Sequence, residues 1–144
     1  MPTSIFLAIQ PDEVARCYPV MAELRPHLRD AGEFAVQVER QRHEGGYELA
    51  ALEDGGEVRA VAGFRVLENL ASGRLLYVDD LVTHERDRSL GYGARLLAWL
   101  EERARADGCR TIQLHSGTQR LRAHRFYFAQ GMTIGSFKFS RDLN

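Results

Sequence analysis

The sequence predicts an α/β (α+β) protein in which a central mixed, mostly antiparallel sheet carries helices on its faces. Segments with a two-residue hydrophobic period alternate along the chain with segments whose period is 3.6 residues. Their order is strand, two helices, three strands, helix, strand, helix and a final strand, which indicates a layered fold. The 144 residues suffice for one domain, residues 1–144. We expect about six or seven strands and about four helices.

The first third of the chain predicts one strand and two helices. Residues 4–10 alternate weakly between apolar and polar side chains and predict the first strand. Residues 11–28 carry apolar side chains at helical spacing, although Pro19 and Pro26 predict breaks or kinks in that helix. Residues 33–45 predict a second short helix, which a pair of glycines ends.

The middle of the chain predicts three strands in succession. Residues 47–54 and 58–68 are separated by turn residues and predict a hairpin. Residues 74–83, with the sequence RLLYVDDLVT, predict a third strand beside that hairpin. The three strands therefore form the antiparallel part of the expected sheet.

The last third predicts a helix, a strand, a second helix and a final strand. Residues 94–106 have a helical period, and residues 109–116 form a short apolar run typical of a buried strand. Residues 119–131 predict another helix, and residues 132–143 alternate weakly and predict a final strand or hairpin. A strand-helix-strand crossover thus surrounds the helix at 94–106.

Composition and charge limit the classes of partner. The formal net charge is −1, which gives no electrostatic signal for nucleic acid or for an anionic membrane. No apolar run is long enough to span a membrane. Cys17 and Cys109 have neither metal-binding nor redox spacing. We therefore expect a cytoplasmic protein with reduced cysteines, no metal, and neither nucleic acid nor membrane as partner.

A glycine-containing turn, RDRSLGYG at residues 86–93, joins a predicted strand to a predicted helix. Such a turn leaves the first N–H groups of the helix unpaired, and the helix dipole makes them attractive to phosphate. Gly91 and Gly93 would allow close approach of an oxyanion, and Arg86 and Arg88 could add charge-assisted hydrogen bonds. The spacing is neither that of a nucleotide P-loop nor that of a dinucleotide-binding turn. An ordinary tight turn explains the same glycines.

Two motifs make the sequence similar to a known family. The residues R-S-L-G-Y-G at 88–93 fit the pattern R/Q-x-x-G-x-G/A, and the residues AHRFYFAQGM at 123–132 resemble A-x-x-F-Y-x-x-x-G-[FM]. Both patterns, in this order, resemble those of the GNAT superfamily of N-acetyltransferases, whose order of strands and helices is also similar. The resemblance implies a GNAT-like acyl-CoA N-acyltransferase fold with acetyl-CoA as co-substrate.

The resemblance also implies where coenzyme A binds. Backbone amides of the glycine turn would hold the pyrophosphate, and the backbone at the end of the preceding strand would pair with the pantetheine arm. Ser116 is the nearest substitute where the family often has an asparagine that contacts this arm. The implied cofactor-binding residues are Leu81, Val82, Thr83, Arg88, Ser89, Leu90, Gly91, Tyr92, Gly93 and Ser116.

Catalytic residues are implied by the same resemblance. Tyr127 occupies the place of a tyrosine that donates a proton to the departing thiolate, although an aromatic core side chain explains it too. Asp79 and Asp80 lie where some members place an acidic residue near the substrate amine. Because neighbouring side chains of a strand point to opposite faces, only one of them is expected to face the site, and we prefer Asp79. A relayed water is an equal candidate for the base.

The resulting hypothesis is an N-acetyltransferase that transfers the acetyl group of acetyl-CoA to a primary amine within a ternary complex. The acceptor, a small molecule or a protein amine, is not identified by the sequence. The alternative is a non-catalytic acyl-CoA-binding sensor or regulatory domain of the same fold, and a weaker third is an unrelated α/β domain. The alternating residues near the C-terminus, including Ile134, Phe137 and Phe139, also suggest an edge that forms a homodimer.

Overall fold

A sheet of five strands is the framework of the protein. In this computed structural model, which describes residues 2–144, the chain forms two compact units, Met1–Gln113 and Leu114–Asn144. The strands lie in sequence order across the sheet, and the pairs β1–β2, β2–β3 and β3–β4 are antiparallel. The strands are β1 (Ser4–Leu7), β2 (Glu48–Asp54), β3 (Glu57–Asn69), β4 (Gly73–Thr83) and β5 (Thr111–Leu114). That residues 1–144 act as one domain stays a prediction.

Four α-helices accompany the sheet, as the sequence predicts. They are α1 (Pro11–Leu24), α2 (Ala31–Gly45), α3 (Tyr92–Ala106) and α4 (Leu121–Ala129). The break expected at Pro19 is absent, because α1 continues through that residue. Its buried side chains, Val14, Cys17, Val20 and Met21, stabilise the helix on both sides of the proline, against a cost of about 3 kcal/mol for proline inside a helix. The helix ends before Pro26, as expected from the restriction that proline places on the preceding residue.

Helices cover both faces of the sheet within the first unit. Val14 and Cys17 of α1 and Phe34 and Val38 of α2 belong to one buried cluster with residues of β2 and β3. On the opposite face the ring of Phe64 in β3 lies 6.0 Å from that of Trp99 in α3. The buried leucines of α3 are Leu96, Leu97 and Leu100. This arrangement bears out the expected α/β layers.

The C-terminal segment differs from the expectation. Residues 132–144 contain no strand, so the structure has five strands instead of the predicted six or seven. Ile134, Phe137 and Phe139 are 69%, 81% and 93% exposed. A weak alternation of apolar side chains becomes a strand only where a neighbouring strand completes its hydrogen bonds. No such partner pairs with this segment among residues 2–144.

No helix within residues 2–144 combines the length and the apolar character needed to cross a membrane.

Candidate active site

The predicted phosphate turn lies between β4 and α3. After β4, a short 3-10 turn over Glu85–Asp87 precedes the turn residues, and α3 begins at Tyr92. Ser89 and Gly91 have φ angles of 73° and 85°, so the backbone is twice in the left-handed region. A β-carbon on Gly91 would meet no atom within 4 Å. Glycine is therefore needed at position 91 for the backbone conformation, and the space beside it is open.

The N-terminus of α3 lacks the caps that the other two helices of this unit have. The Asp30 carboxylate accepts the N–H of Glu33 at 2.8 Å in α2, and the Glu13 carboxylate accepts that of Gln10 at 2.9 Å before α1. Gly91 caps α3 without a side chain, and the first turn of α3 contains no acidic residue. Backbone N–H groups there are thus available to an anion, with the positive end of the helix dipole behind them.

The two arginines of the turn differ in whether their side chains are free to bind an anion. The Arg86 side chain forms ion pairs with Glu57 and Asp87, so its charge is already compensated. Arg88 is exposed, and its side chain makes no hydrogen bond or ion pair with any residue of 2–144. Arg88 is therefore the arginine of the turn that is free to bind an anion.

The hairpin between β2 and β3 anchors the turn. The Tyr92 hydroxyl donates a hydrogen bond to Oδ2 of Asp54 at 2.6 Å. Asp87, which is 5% exposed, accepts from Nη1 of Arg59 at 3.3 Å. The Tyr92 side chain thus ties the turn to the hairpin, a role that its place among the implied cofactor-binding residues did not predict. Asp54 and Arg59 lie far from the turn in sequence, whereas Asp87 lies within the turn but outside the R-S-L-G-Y-G motif. No signal in the sequence predicts these contacts.

Replacement of Tyr92 by phenylalanine is expected to lower the melting temperature, because one hydrogen bond that anchors the turn is lost. The Tyr92 hydroxyl holds the pKa of Asp54 below its ordinary value of 3.8. A depressed carboxyl pKa adds stability that is present above the unfolded-state pKa and is lost as pH falls through the folded-state pKa.

The stability difference between wild type and Tyr92→Phe should therefore shrink below about pH 4, as measured by urea unfolding at several pH values. A difference that stays constant down to pH 2 would contradict the tether. Tyr18→Phe is a matched control, because the Tyr18 hydroxyl donates to the carbonyl of Leu28, an acceptor that does not titrate, at 2.7 Å.

The end of β4 leaves one backbone edge for a ligand. Leu81, Val82 and Thr83 pair with β3 on one side. On the other side β5 begins close to the start of β4, since the N–H of Arg110 donates to the carbonyl of Arg74 at 2.8 Å. The connection through α3 makes the two strands parallel, and β5 has four residues where β4 has eleven. Because β5 is shorter than β4 and begins beside its start, the last residues of β4 have no part of β5 next to them in this unit.

A β-bulge brings both aspartates of β4 to one face of the sheet. Asp80 pairs with Gly63 and Val78 pairs with Phe64, so Asp79 has no partner on β3. The Asp79 carboxylate accepts hydrogen bonds from Arg65, which lies two residues from Gly63 and therefore on the same face. The expectation that only one of the two can face a site is wrong, because strict alternation fails at a bulge.

Each of these carboxylates already has one cationic partner. Asp79 receives two hydrogen bonds of 2.9 Å from Nε and Nη2 of Arg65. Asp80 accepts from Nε of Arg25 at 2.9 Å and from the Tyr47 hydroxyl at 2.8 Å. Burial raises the pKa of Tyr47 well above its ordinary value, and the negative charge of Asp80 adds to this rise. Sequence reasoning missed Arg25, Arg65 and Tyr47 as neighbours of this site.

The second unit holds Tyr127 and Ser116. Tyr127 lies on α4 with its ring 5.5 Å from that of Phe126 in an edge-to-face arrangement. Burial raises the pKa of Tyr127, and the positive charge of Arg120 opposes that rise. The hydroxyl is therefore protonated at neutral pH, as a proton donor must be. The Ser116 hydroxyl oxygen is buried and has no hydrogen-bond partner among residues 2–144, so it can accept a ligand contact.

The cysteines and metal-binding side chains add no further chemistry to this site. Cys17 is buried, and burial raises the pKa of its thiol to about 12. Burial also raises the pKa of Cys109. No group of three or more potential metal ligands occurs within residues 2–144.

Sequence comparison identifies the family. Residues 12–132 match the model of the acetyltransferase (GNAT) family, and the chain therefore belongs to that family. The uncharacterized N-acetyltransferase YhdJ of Bacillus subtilis (strain 168) is 37% identical over 131 residues, which are 90% of this chain and 92% of that protein. The aminoalkylphosphonate N-acetyltransferase of Salmonella typhimurium (strain LT2) is 36% identical over 66 residues, 46% of this chain and 43% of that protein.

Solved structures share the fold. A transcriptional regulator from Bacillus halodurans C-125 superimposes with a TM-score of 0.85 at 22% identity, covering 99% of this chain and 100% of that one. A ribosomal-protein-alanine N-acetyltransferase from Brucella melitensis biovar Abortus 2308 gives 0.84 at 16%, with coverage of 99% and 100%. The aminoglycoside N-acetyltransferase AAC(6′)-Iy in complex with CoA gives 0.83 at 11%, with coverage of 100% and 98%. These similarities confirm the predicted GNAT fold.

Proposed function

We propose that this protein is an acetyl-CoA-dependent N-acetyltransferase that acetylates a primary amine by direct transfer within a ternary complex. The observation that carries the proposal is the uncapped N-terminus of α3 behind the left-handed turn at Gly91, in a chain of the GNAT family. This turn offers unpaired N–H groups and open space for a pyrophosphate. The exposed, unpaired Arg88 beside it supplies compensating charge.

The residues present fit coenzyme A. The N–H groups at the start of α3 would hold the pyrophosphate, and the backbone at the end of β4 would pair with the amide-bearing pantetheine arm. The buried, unpartnered hydroxyl of Ser116 is suited to a further polar contact. The residues assigned to the cofactor are Leu81, Val82, Thr83, Arg88, Ser89, Leu90, Gly91, Tyr92, Gly93 and Ser116.

Tyr127 and Asp79 are assigned to the transfer itself. The amine nitrogen forms a bond to the acetyl carbonyl carbon while the carbon–sulfur bond breaks, so the thiolate needs one proton and the amine must lose one. Tyr127 donates the proton to the sulfur, which its raised pKa supports because the phenol is fully protonated at neutral pH. The proton that the amine loses passes to water, and water returns a proton to the phenolate. Asp79 lies at the bulge of β4 and is assigned a position near the substrate amine, while its carboxylate is paired with Arg65. Positioning of the two substrates supplies most of the rate, about 7–11 kcal/mol in favourable cases.

The first experiment is calorimetric titration with acetyl-CoA, coenzyme A and ATP. Micromolar binding of acetyl-CoA and coenzyme A, without binding of ATP, supports the assignment. Thiol release is then measured with a panel of acceptors taken from the relatives and structural neighbours: aminoalkylphosphonates, aminoglycosides and peptides with an N-terminal alanine. Absence of acetyl-CoA binding would overturn the proposal.

The second candidate is an acyl-CoA-binding regulatory domain without catalysis. The ion pairs of Asp79 with Arg65 and of Asp80 with Arg25 favour it, because each carboxylate is already bound to a cationic side chain of the chain itself. A structural neighbour described as a transcriptional regulator has the same fold. Tight acetyl-CoA binding together with no thiol release from any amine of the panel would select this candidate.

A homodimer that uses the C-terminal segment stays a prediction. Four apolar side chains of residues 132–144 are largely exposed, which a second copy could cover. We expect a dimer at micromolar concentration in sedimentation velocity and a shift toward monomer in the variant Phe137→Asp. A wild-type protein that sediments only as a monomer would count against the dimer. The cytoplasmic location likewise stays a prediction.

A further inference from the structure

Side chains at the end of α1 hold the backbone on both sides of the segment assigned to the pantetheine arm. That segment is residues 81–83, beside which β5 does not extend in this unit. Arg25, the first residue after α1, donates from Nη2 to the carbonyl oxygen of Asp79 at 2.9 Å. Oε1 of Glu23, in the last turn of α1, accepts the N–H of Glu85 at 2.8 Å. The two hydrogen bonds therefore bracket the segment.

The two backbone groups that α1 holds lie outside the regular pairing of β4 with β3. Asp79 occupies the β-bulge and has no partner on β3. The strand ends at Thr83, two residues before Glu85. Backbone groups that a sheet leaves unpaired need other partners, and side chains of α1 supply them here. Pairing with β3 thus fixes the middle of the segment, and α1 fixes its two ends.

The end of α1 is itself held in place. Met21 is 1% exposed, and its carbonyl accepts the N–H of Arg25 at 2.8 Å. Nε of Arg25 donates to Oδ1 of Asp80 at 2.9 Å, so the guanidinium contacts this strand twice. Oε2 of Glu23 lies 3.3 Å from Nδ1 of His84, which gives the carboxylate a second neighbour beside the N–H that it accepts. Two contacts for each side chain restrict its rotamers, which is what a supporting residue requires.

An exposed strand edge needs support of this kind if it is to bind an extended ligand. Residues 81–83 have β3 on one side only, so their other side is not fixed by a neighbouring strand in this unit. Hydrogen bonds from this edge to the amides of a pantetheine arm would weaken steeply if the backbone groups were misaligned. The orientation of the edge therefore controls how strongly the arm binds.

We propose that Glu23 and Arg25 are positioning residues, which hold the backbone at 81–83 in the orientation that pairs with the pantetheine arm of acetyl-CoA. The inference rests on the proposed function, since the ligand of this edge is the acyl arm of the cofactor. Neither side chain contacts the cofactor, because each acts through a backbone group at one end of the segment. The nucleotide end of the cofactor, which the turn at Gly91 binds, is independent of them.

The test is calorimetric titration of acetyl-CoA into Glu23→Ala, Glu23→Gln and Arg25→Ala. We expect Glu23→Ala to bind about fivefold more weakly than wild type, as one hydrogen bond that orients the edge is lost. Charge alone predicts the opposite, because removal of a carboxylate favours an anionic ligand. Glu23→Gln loses the same charge but keeps an acceptor for the N–H of Glu85, so its affinity should stay within twofold of wild type. Arg25→Ala should weaken binding about as much as Glu23→Ala.

Glu13→Ala is the matched control. Glu13 lies at the opposite end of α1, and its carboxylate also accepts a backbone N–H, that of Gln10 at 2.9 Å. This variant therefore loses the same charge and a similar hydrogen bond from the same helix, without a change next to β4. It should bind acetyl-CoA as wild type does.

A truncated ligand separates the arm from the nucleotide. The probe is 3′-phosphoadenosine 5′-diphosphate, which keeps the pyrophosphate of coenzyme A but lacks the pantetheine arm. Its binding is followed by ligand-observed NMR and should be the same in wild type, Glu23→Ala and Arg25→Ala. Equal losses of affinity for this probe and for acetyl-CoA would overturn the inference, because the effect would then lie in the phosphate turn or in the whole fold.

Amide hydrogen exchange tests the hydrogen bond without any ligand. The N–H of Glu85 should exchange faster in Glu23→Ala than in Glu23→Gln, and equal exchange would overturn the inference. Wild-type affinity for acetyl-CoA in Glu23→Ala would overturn it as well and would leave the proposed function intact. If wild type itself does not bind acetyl-CoA, the proposed function fails, and the positioning role fails with it.

Discussion

Replacement of Gly91 by valine is expected to weaken acetyl-CoA binding by about 100-fold or more, because two or more charge-assisted hydrogen bonds to the pyrophosphate are lost. Gly91 has a φ of 85°, which a β-branched residue does not tolerate. Valine therefore forces the turn into another conformation and turns the first N–H groups of α3 away from the ligand. Calorimetric titration with acetyl-CoA measures the effect.

The control for Gly91→Val is Gly46→Val. Gly46 ends α2 with a φ of 72° and, like Gly91, has no atom within 4 Å of a β-carbon. Both variants should lose about 1–2 kcal/mol of folding stability from the left-handed backbone. Only Gly91→Val should lose acetyl-CoA. Equal loss of binding in both variants would show that global destabilisation, and not the turn, is responsible.

Replacement of Tyr127 by phenylalanine is expected to lower kcat by about 100-fold while acetyl-CoA binding stays within twofold, as general acid catalysis typically contributes ~10²–10⁴. Burial keeps the pKa of Tyr127 above its ordinary value of 10.0. In wild type, loss of the Tyr127 proton should therefore lower kcat only above pH 10, and this decline at high pH should be absent in Tyr127→Phe. Stopped-flow or steady-state thiol release over this pH range tests both statements.

Tyr18→Phe controls for the loss of a partly buried tyrosine hydroxyl, since Tyr18 donates only to the carbonyl of Leu28. Its kcat should equal that of wild type. An unchanged kcat in Tyr127→Phe would remove Tyr127 from the role of acid and leave it as an aromatic side chain of α4.

Local sequence determined what could be predicted. The hairpin β2–β3, the helix α3 and the turn at Gly91 follow from hydrophobic period and turn residues, which act over a few neighbours. The family motifs added the chemistry of the turn. Helix α1 continues through Pro19 because the packing of its buried side chains outweighs the tendency of proline to break a helix. That packing involves residues distant in sequence, so a short sequence window does not predict it.

The remaining features depend on contacts between distant residues. The bulge at Asp79 arises from the pairing of β3 with β4, so the alternation rule assigned the two aspartates to opposite faces and was wrong. The tether from Tyr92 to Asp54 joins residues 38 positions apart. The final strand predicted over residues 132–143 is absent, because apolar alternation does not specify a partner strand.

The hydrogen bond between Tyr92 and Asp54 couples the conformation of the β2–β3 turn to that of the turn at Gly91. Insertions in surface turns are generally tolerated, and Gly55 and Gly56 form such a turn next to Asp54. Lengthening it would shift the anchor of the phosphate turn without altering any residue that contacts the ligand. Under the proposed function, the affinity for acetyl-CoA could therefore be tuned from a hairpin on a different part of the chain.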